Sequence, residues 1–322
     1  MHAIEAQSTR FDGTVALWYS SHSRVDSRDW DLIEEFQGPH HPLLGYYKSD
    51  DPEVLRTQLR WMRRAGVDVI VYDVYGCGKL SIADLPNDRA LALLVDELSH
   101  QEHEPRKLQL IIWLEAWNSN PSAEQYRFGL DYVRDHLADR DFCYGYNGLP
   151  LVVTYLNNDN EAINEIEWET RDLALRRIRP YNSDVWSYLQ QYPQRLNRQW
   201  MPVSPGFDPF LENMYIAKYV NREPHSDRER IYRESRQSAA ERDEGRLFEK
   251  QLLRAREGDP EIIFISGWND WQYACQIEPA VEYGFQYVDM AARILGREAE
   301  TAPYRDDSQG NVLAHRSSSA QP

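Results

Sequence analysis

The sequence predicts an α/β protein folded as a single (β/α)8 barrel over residues 1–300. Short apolar runs rich in β-branched residues alternate along the chain with amphipathic helical segments. This alternation gives parallel strands joined by right-handed crossovers. No glycine-rich phosphate loop follows the first apolar run, which argues against an open, nucleotide-binding sheet. The 322 residues are enough for one barrel of about 250 residues with extensions.

Seven strands are predicted from these apolar runs, and an eighth is not placed. They cover residues 14–20, 67–72, 108–114, 149–156, 184–189, 200–204 and 262–265. The run 184–189 is the weakest of them. Each predicted strand is followed by polar residues, as expected where a strand leaves the core.

Six helices are predicted around these strands. The first is the best defined, because Asp51 is a suitable N-cap, Pro52 suits the first helical position and Gly66 can end the helix. The other predicted helices cover residues 89–99, 122–138, 173–178, 247–255 and 281–295. The segment 301–322 bears Ser, Gln and Asp and is expected to be a flexible polar tail.

Composition excludes several classes of partner. A formal net charge of −16 and a pI of about 5.0 argue against nucleic acid and anionic membranes. No apolar run approaches the roughly 20 residues of a membrane span, and the first residues lack the pattern of a signal peptide. The three cysteines show no metal spacing and no His pair stands at i, i+4. We therefore expect a cytoplasmic protein with reduced thiols, no metal and no other cofactor, and its oligomeric state is left open.

The stretch 261–280 has the strongest features of a functional site. The strand-like run Ile262–Ile265 stops at Ser266-Gly267 and is followed by the polar and aromatic residues WNDWQY. A buried strand ending in such a loop is how an α/β barrel builds a site at the carboxyl ends of its strands. The 10 Trp and 20 Tyr of the chain offer flat apolar faces that suit sugar rings. The alternative is a large aromatic core.

Residues that follow other predicted strands are expected to face the same cleft. The carboxylates at strand ends are candidates for acid–base chemistry, although Asp also caps the helices that follow strands. These carboxylates are Asp73, Glu115, Asp208 and Asp270, of which Asp208 is assigned to substrate binding. The predicted substrate-binding residues beside them are Tyr75, Trp117, Asn157, Trp268, Asn269 and Trp271.

Two blocks of sequence resemble the family 99 glycoside hydrolases, which are endo-α-mannosidases with barrel relatives connected with polysaccharide biosynthesis. Residues 268–280, WNDWQYACQIEPA, are similar to the family signature WNEW-x-E-x-x-QIEPA. Residues 45–76 are similar to an early block with a G-x-Y-x-S-x-D-P turn, and weaker similarity extends over about residues 14–296. Tyr46 in the early block and Glu278 in the signature complete the predicted substrate-binding set.

The resemblance implies roles for particular residues. In the family, hydrolysis retains configuration: the first carboxylate of the signature helps the sugar 2-hydroxyl to attack its own anomeric carbon, and the second protonates the leaving oxygen. These positions hold Asp270 and Tyr273 here. A family carboxylate in the sugar pocket corresponds to Glu115. A phenol with a pKa near 10 is a poor proton donor, so Asp73, Glu115 and His22 are the candidates for the missing acid.

Three functions are compatible with this pattern. The first is a glycoside hydrolase acting on an α-linked glycan, such as a mannoside, through Asp270, Glu115, Asp73 and Tyr273. The second is a carbohydrate-binding or glycan-assembly protein that has lost hydrolysis, which the replacement of the second acid by Tyr273 favours. The third is a lyase or transferase that uses Tyr273 as acid–base.

Overall fold

The computed structural model describes residues 10–20, 28–74, 88–115, 122–155, 161–178, 199–223 and 227–305. Parallel strands form one sheet through this part of the chain, and helices cover its outer face. The strands are β1 (Thr14–Ser20), β2 (Val69–Val74), β3 (Gln109–Glu115), β4 (Gly145–Tyr146), β5 (Leu149–Tyr155), β6 (Ala174–Ile178), β7 (Trp200–Val203) and β8 (Ile262–Ile265).

The parallel strands pair in the order β7-β8-β1-β2-β3-β5-β6, and the short β4 pairs antiparallel with β5. The first and last strands of the described chain are therefore neighbours, with Ala16 opposite Phe264. The predicted α/β class and its parallel strands are confirmed. The predicted strand 184–189 lies outside the described residues.

The sheet is strongly curled. Trp113 on β3 and Phe264 on β8 lie three strands apart, which would separate them by about 14 Å in a flat sheet, yet their ring centroids are 6.2 Å apart. Arg176 on the edge strand β6 lies 4.6 Å from the ring of Trp200 on the opposite edge strand β7. No strand of the described chain pairs with both β6 and β7, so a closed eight-stranded barrel stays a prediction.

Two apolar layers follow from the alternation of side chains along the strands. Inward-facing residues such as Val71, Trp113 and Phe264 fill the inside of the curled sheet. Outward-facing residues such as Leu17, Ile70 and Ile112 pack against the helices. A third cluster, with Trp30, Phe210 and Trp271, lies beside the loop after β8.

Ten α-helices are described. They are α1 (Arg28–Phe36), α2 (Pro52–Arg64), α3 (Arg89–Ser99), α4 (Ala123–His136), α5 (Glu161–Glu169), α6 (Phe210–Tyr215), α7 (Arg228–Arg236), α8 (Arg246–Gly258), α9 (Gln286–Ile294) and α10 (Glu298–Thr301). The start of α2 is confirmed, because the side chain of Asp51 accepts a hydrogen bond from the amide of Glu53. Within the described ranges, no helix has the length and apolarity to cross a membrane.

Two expectations about elements were wrong. Residues 173–178 were expected to be helical, but Ala174–Ile178 is strand β6 and pairs with β5. Two arginines hide the strand pattern: Arg176 stacks on Trp200, and Arg177 makes an ion pair with Glu167 at 2.7 Å. The expected tail also begins too early, because Tyr304 is buried and its hydroxyl accepts a hydrogen bond from the amide of Arg106.

Candidate functional site

The loop Ser266–Ala280, here called the motif loop, follows strand β8 and is bound to β1. The amide of Trp268 donates to the carbonyl of Trp18 at 2.7 Å. The loop then closes on itself, because the amides of Ile277 and Glu278 donate to the carbonyls of Gly267 and Trp268, both at 2.9 Å. These bonds fix the position of residues 269–276 at the carboxyl end of the sheet.

Gly267 is required for this turn. Its φ is +115°, a conformation that side-chain-bearing residues rarely adopt. A Cβ at this position would also overlap the carbonyl oxygen of Cys275. The glycine therefore allows the two ends of the motif loop to approach each other closely.

Asn269 binds the end of strand β1 rather than an open cleft. Its Oδ1 accepts from the amide of Ser20 at 2.9 Å, and its Nδ2 donates to the carbonyl of Ser20 at 2.8 Å. Asn269 is also buried. The amide of Asn269 joins the motif loop to β1, and its predicted role in substrate binding stays a prediction.

Asp270 is a buried carboxylate with specific partners. Its Oδ2 accepts a hydrogen bond from the thiol of Cys275 at 2.9 Å. Burial raises the pKa of Asp270 to about 6; hydrogen bonds from Cys275 and from the amide of Tyr273 act in the opposite direction, and the charge of Glu212 raises the pKa further. A carboxylate with this pKa is ionised at neutral pH and basic enough to accept a proton.

Tyr273 lies at the outer side of the motif loop and is partly exposed. Its ring stacks on Phe207, with centroids 5.6 Å apart and planes inclined by 13°. Its carbonyl accepts from the amide of Asp208 at 2.8 Å. These contacts join the motif loop to the segment after β7.

Asp208 lies beside Tyr273 and is partly buried. Its Oδ1 accepts from the amide of Phe210, the first residue of α6, at 3.0 Å. Burial raises the pKa of Asp208, while the hydrogen bond from Phe210 and the charge of Arg236 oppose that shift. The strand-end position predicted for Asp208 is thus compatible with both of its expected roles, helix cap and site residue.

Glu212 is a candidate that sequence reasoning missed. It lies on α6 and accepts a hydrogen bond from the side chain of Gln272 in the motif loop. Its charge also acts on Asp270, so two carboxylates share this region. No sequence motif marks Glu212; only the fold brings α6 to the motif loop.

Glu278 is completely buried, and its carboxylate is bound by three neutral protein groups. Tyr47 Oη donates at 2.7 Å, Gln58 Nε2 at 2.7 Å and Trp271 Nε1 at 2.9 Å. Burial raises the pKa of Glu278 to about 7, and the three hydrogen bonds lower it less than burial raises it. The Glu278 carboxylate therefore joins the motif loop to Tyr47 and to Gln58 of α2, and its predicted contact with substrate stays a prediction.

The two tryptophans of the motif loop are also core residues. Trp268 is 0% exposed and belongs to the layer between the sheet and the helices, and Trp271 is 3% exposed and packs near Trp30. The expectation that they line an open cleft is wrong, because the loop folds back onto the sheet. Tyr46, by contrast, is 41% exposed and stacks on Trp30 with a centroid distance of 5.2 Å, so its predicted sugar contact stays open to test.

Asp73 is placed within β2 rather than after it, since the strand continues to Val74. It is fully buried and follows the inward-facing Val69 and Val71 in the alternation of the strand, opposite Ser20 and Trp113 of its neighbours. Glu115 is the last residue of β3, and its role stays a prediction. The remaining predicted residues lie outside the described ranges: His22, Tyr75, Trp117 and Asn157.

Two further observations concern metal and ligand sites in the described part of the chain. Among the described residues, no group of three or more His, Cys, Asp or Glu side chains is placed to hold a metal ion. A cavity of about 640 Å³ is lined by Thr14, Asp68, Gln109 and Arg297. It lies at the amino ends of β1 and β3, away from the motif loop.

A search of family models found no match. The mouse (Mus musculus) glycoprotein endo-alpha-1,2-mannosidase is 21% identical over 328 residues, which cover 84% of this chain and 65% of the mouse protein. The rat (Rattus norvegicus) protein gives the same values. The chain thus spans just under two thirds of the length of these curated relatives.

Solved structures give the same result. The GH99 endo-alpha-mannosidase from Bacteroides thetaiotaomicron superposes with a TM-score of 0.62 at 19% identity, covering 91% of this chain and 99% of that protein. A glycoside hydrolase-like protein superposes with a TM-score of 0.58 at 15% identity, covering 88% and 94%. The predicted resemblance is confirmed, and the chain has the fold of these proteins.

Proposed function

We propose that this protein is a glycoside hydrolase that acts on α-linked mannosides. The observation that carries the proposal is Asp270, a buried carboxylate with a pKa of about 6 on a loop at the carboxyl end of the sheet. Support also comes from the relatives, which are endo-α-mannosidases at low identity. Glycosidases need one group that gives a proton to the leaving oxygen and a second carboxyl group on the other side of the bond.

Asp270 takes the role of the base in this proposal. It would accept the proton of a sugar hydroxyl as that oxygen attacks the anomeric carbon. Its raised pKa suits the task, because a base with a pKa near the working pH combines ionisation with proton affinity. Its burial keeps the carboxylate away from bulk water, which strengthens its interaction with charge that develops on the sugar.

We propose Glu212 as the proton donor. Tyr273 occupies the position from which the resemblance derives its acid, and a phenol there is poorly matched to the leaving oxygen. Glu212 is bound to the motif loop through Gln272, the neighbour of Tyr273 in the chain, and its charge acts on Asp270. It is partly exposed, whereas Asp73 is fully buried. A carboxyl group from α6 would therefore replace the acid that the motif lacks.

A non-hydrolytic glycan-binding protein is the second candidate. Two observations favour it: Tyr273 stands in place of a carboxylate, and Asp270 is bound to Cys275 and only 3% exposed. Binding without hydrolysis would use the same region around the motif loop. The two candidates predict different outcomes with one substrate.

The deciding experiment uses an α-1,2-linked mannose oligosaccharide. Wild-type protein should release reducing ends, and Asp270→Asn should reduce the rate by a factor of about 10² or more, as expected for the loss of a general base. Asp96→Asn is the matched control, because Asp96 is an exposed carboxylate on α3. Binding measured by calorimetry without any hydrolysis by the wild type would favour the second candidate. Neither binding nor hydrolysis, over a panel of α-mannosides, would refute both.

A further inference from the structure

Cys275 is a buried thiol that the proposed reaction does not use. It is 0% exposed, and its Sγ lies 2.9 Å from Oδ2 of Asp270. Burial raises the pKa of Cys275 well above its ordinary value, and the charge of Asp270 adds to that shift. The sulfur therefore keeps its proton and donates it to the carboxylate.

The backbone fixes the position of this thiol. The amide of Cys275 donates to the carbonyl of Asp270 at 3.2 Å, so the two residues close one turn. The carbonyl of Cys275 packs directly against Gly267, where no side chain would fit. The contact between thiol and carboxylate is thus built into the loop and does not depend on a mobile side chain.

We propose that Cys275 is a positioning residue for Asp270: its S–H holds Oδ2 and moderates the basicity of the carboxylate. The inference rests on the proposed function, because it assigns Asp270 the role of base. The thiol is the weakest of the common side-chain donors. A weak donor orients the carboxylate yet withdraws little of its proton affinity, so Asp270 stays basic enough to act near neutral pH.

Other groups also face Asp270 and are part of this balance. Glu212 approaches from α6 and raises the pKa of Asp270, and the amide of Tyr273 lowers it. Arg242 acts on Cys275 from the segment before α8 and favours the thiolate. None of these groups is altered when Cys275 is replaced, so a change in the pKa of Asp270 can be attributed to loss of the sulfur.

Two variants test the inference in opposite directions. Cys275→Ser supplies a stronger donor of similar size, and Cys275→Ala supplies none. In the pH profile of kcat/KM, the acidic limb should move to lower pH in the serine variant and to higher pH in the alanine variant, each by about half to one pH unit. Alanine should lower kcat about tenfold with little change in KM, and serine should restore most of it. Cys143→Ala is the control, because Cys143 is a half-buried free cysteine that pairs with Leu110 of β3, away from the motif loop.

A second measurement needs no substrate. The infrared S–H stretch of Cys275, isolated by subtracting the spectrum of the alanine variant, should rise in frequency when Asp270 is protonated at low pH and should do so permanently in Asp270→Asn. The inference would be overturned if the S–H frequency stayed the same at low pH and in Asp270→Asn. Identical pH profiles of the two Cys275 variants would also overturn it. If the band responds but the wild type hydrolyses no mannoside, the contact stands and the proposed function fails.

Discussion

Glu278→Gln should change how stability depends on pH. Glu278 is completely buried, and the three partners that the described structure gives it are all neutral. Its pKa is raised from 4.5 to about 7, mainly by burial. Glutamine is isosteric with the protonated acid and likewise carries a donor, so the variant mimics the neutral form at every pH.

The direction of the pKa shift determines whether stability rises or falls with pH. Because the folded protein holds the proton more tightly than the unfolded chain, stability is highest below the unfolded pKa and falls as pH rises towards the folded pKa. Each pKa unit corresponds to about 1.4 kcal/mol. Between pH 5 and pH 8, ionisation of Glu278 should therefore lower the free energy of unfolding by about 2–3 kcal/mol.

Urea unfolding followed by tryptophan fluorescence at pH 5 and pH 8 measures this effect. The wild type should lose about 2–3 kcal/mol more than Glu278→Gln over this interval. Asp270 contributes a loss of the same sign between about pH 4 and pH 6, but it is present in both proteins and cancels. Glu249→Gln, at an exposed ion pair with Arg293, is the control. Parallel pH dependence of the wild type and Glu278→Gln would refute the reasoning.

The remaining predictions concern the acid and two structural positions. Glu212→Gln should slow cleavage of an unactivated α-mannoside by about 10² or more. It should slow cleavage of a dinitrophenyl mannoside less than tenfold, because a good leaving group needs no proton. If Tyr273→Phe shows this pattern and Glu212→Gln keeps wild-type rates, the phenol is the acid. Gly267→Ala should destabilise the fold by about 2–4 kcal/mol in urea unfolding, since it combines an unfavourable φ with overlap at the Cys275 carbonyl. Arg297→Met should cost about 2–4 kcal/mol, because it removes the buried Arg297 donor from the carbonyls of Gly13 and Gly66 and from the Asp68 carboxylate, while Arg106 still donates to Gly66 and Asp68. An unchanged denaturation midpoint in either variant would contradict these assignments.

Local signals in the sequence predicted the elements that they govern. Asp51 and Pro52 defined the start of α2 correctly, and the glycine at 267 marked the turn that ends the last strand. These features depend on residues close to one another in the chain. Strand β6 was missed because Arg176 and Arg177 interrupt its apolar pattern, and their partners, Trp200 and Glu167, are evident only in the folded protein.

Part of the candidate site could also be predicted from local signals in the sequence. Asp270 could be singled out because the loop that carries it follows a recognisable strand. The burial of Trp268 and Glu278 could not be predicted, because it depends on how the motif loop folds back on the sheet. Glu212 was missed because it is 58 residues from Asp270 in the numbering of the chain, and no local pattern distinguishes it from other acidic residues of surface helices.

The clamp between Asn269 and Ser20 has a consequence for biosynthesis. Strand β1 is synthesised 248 residues before its neighbour β8, and 249 residues separate Ser20 from the Asn269 amide that binds it. Until β8 is made, the edge of β1 that pairs with it is open, and exposed strand edges promote aggregation. Chains that stop before residue 262 should therefore depend heavily on chaperones.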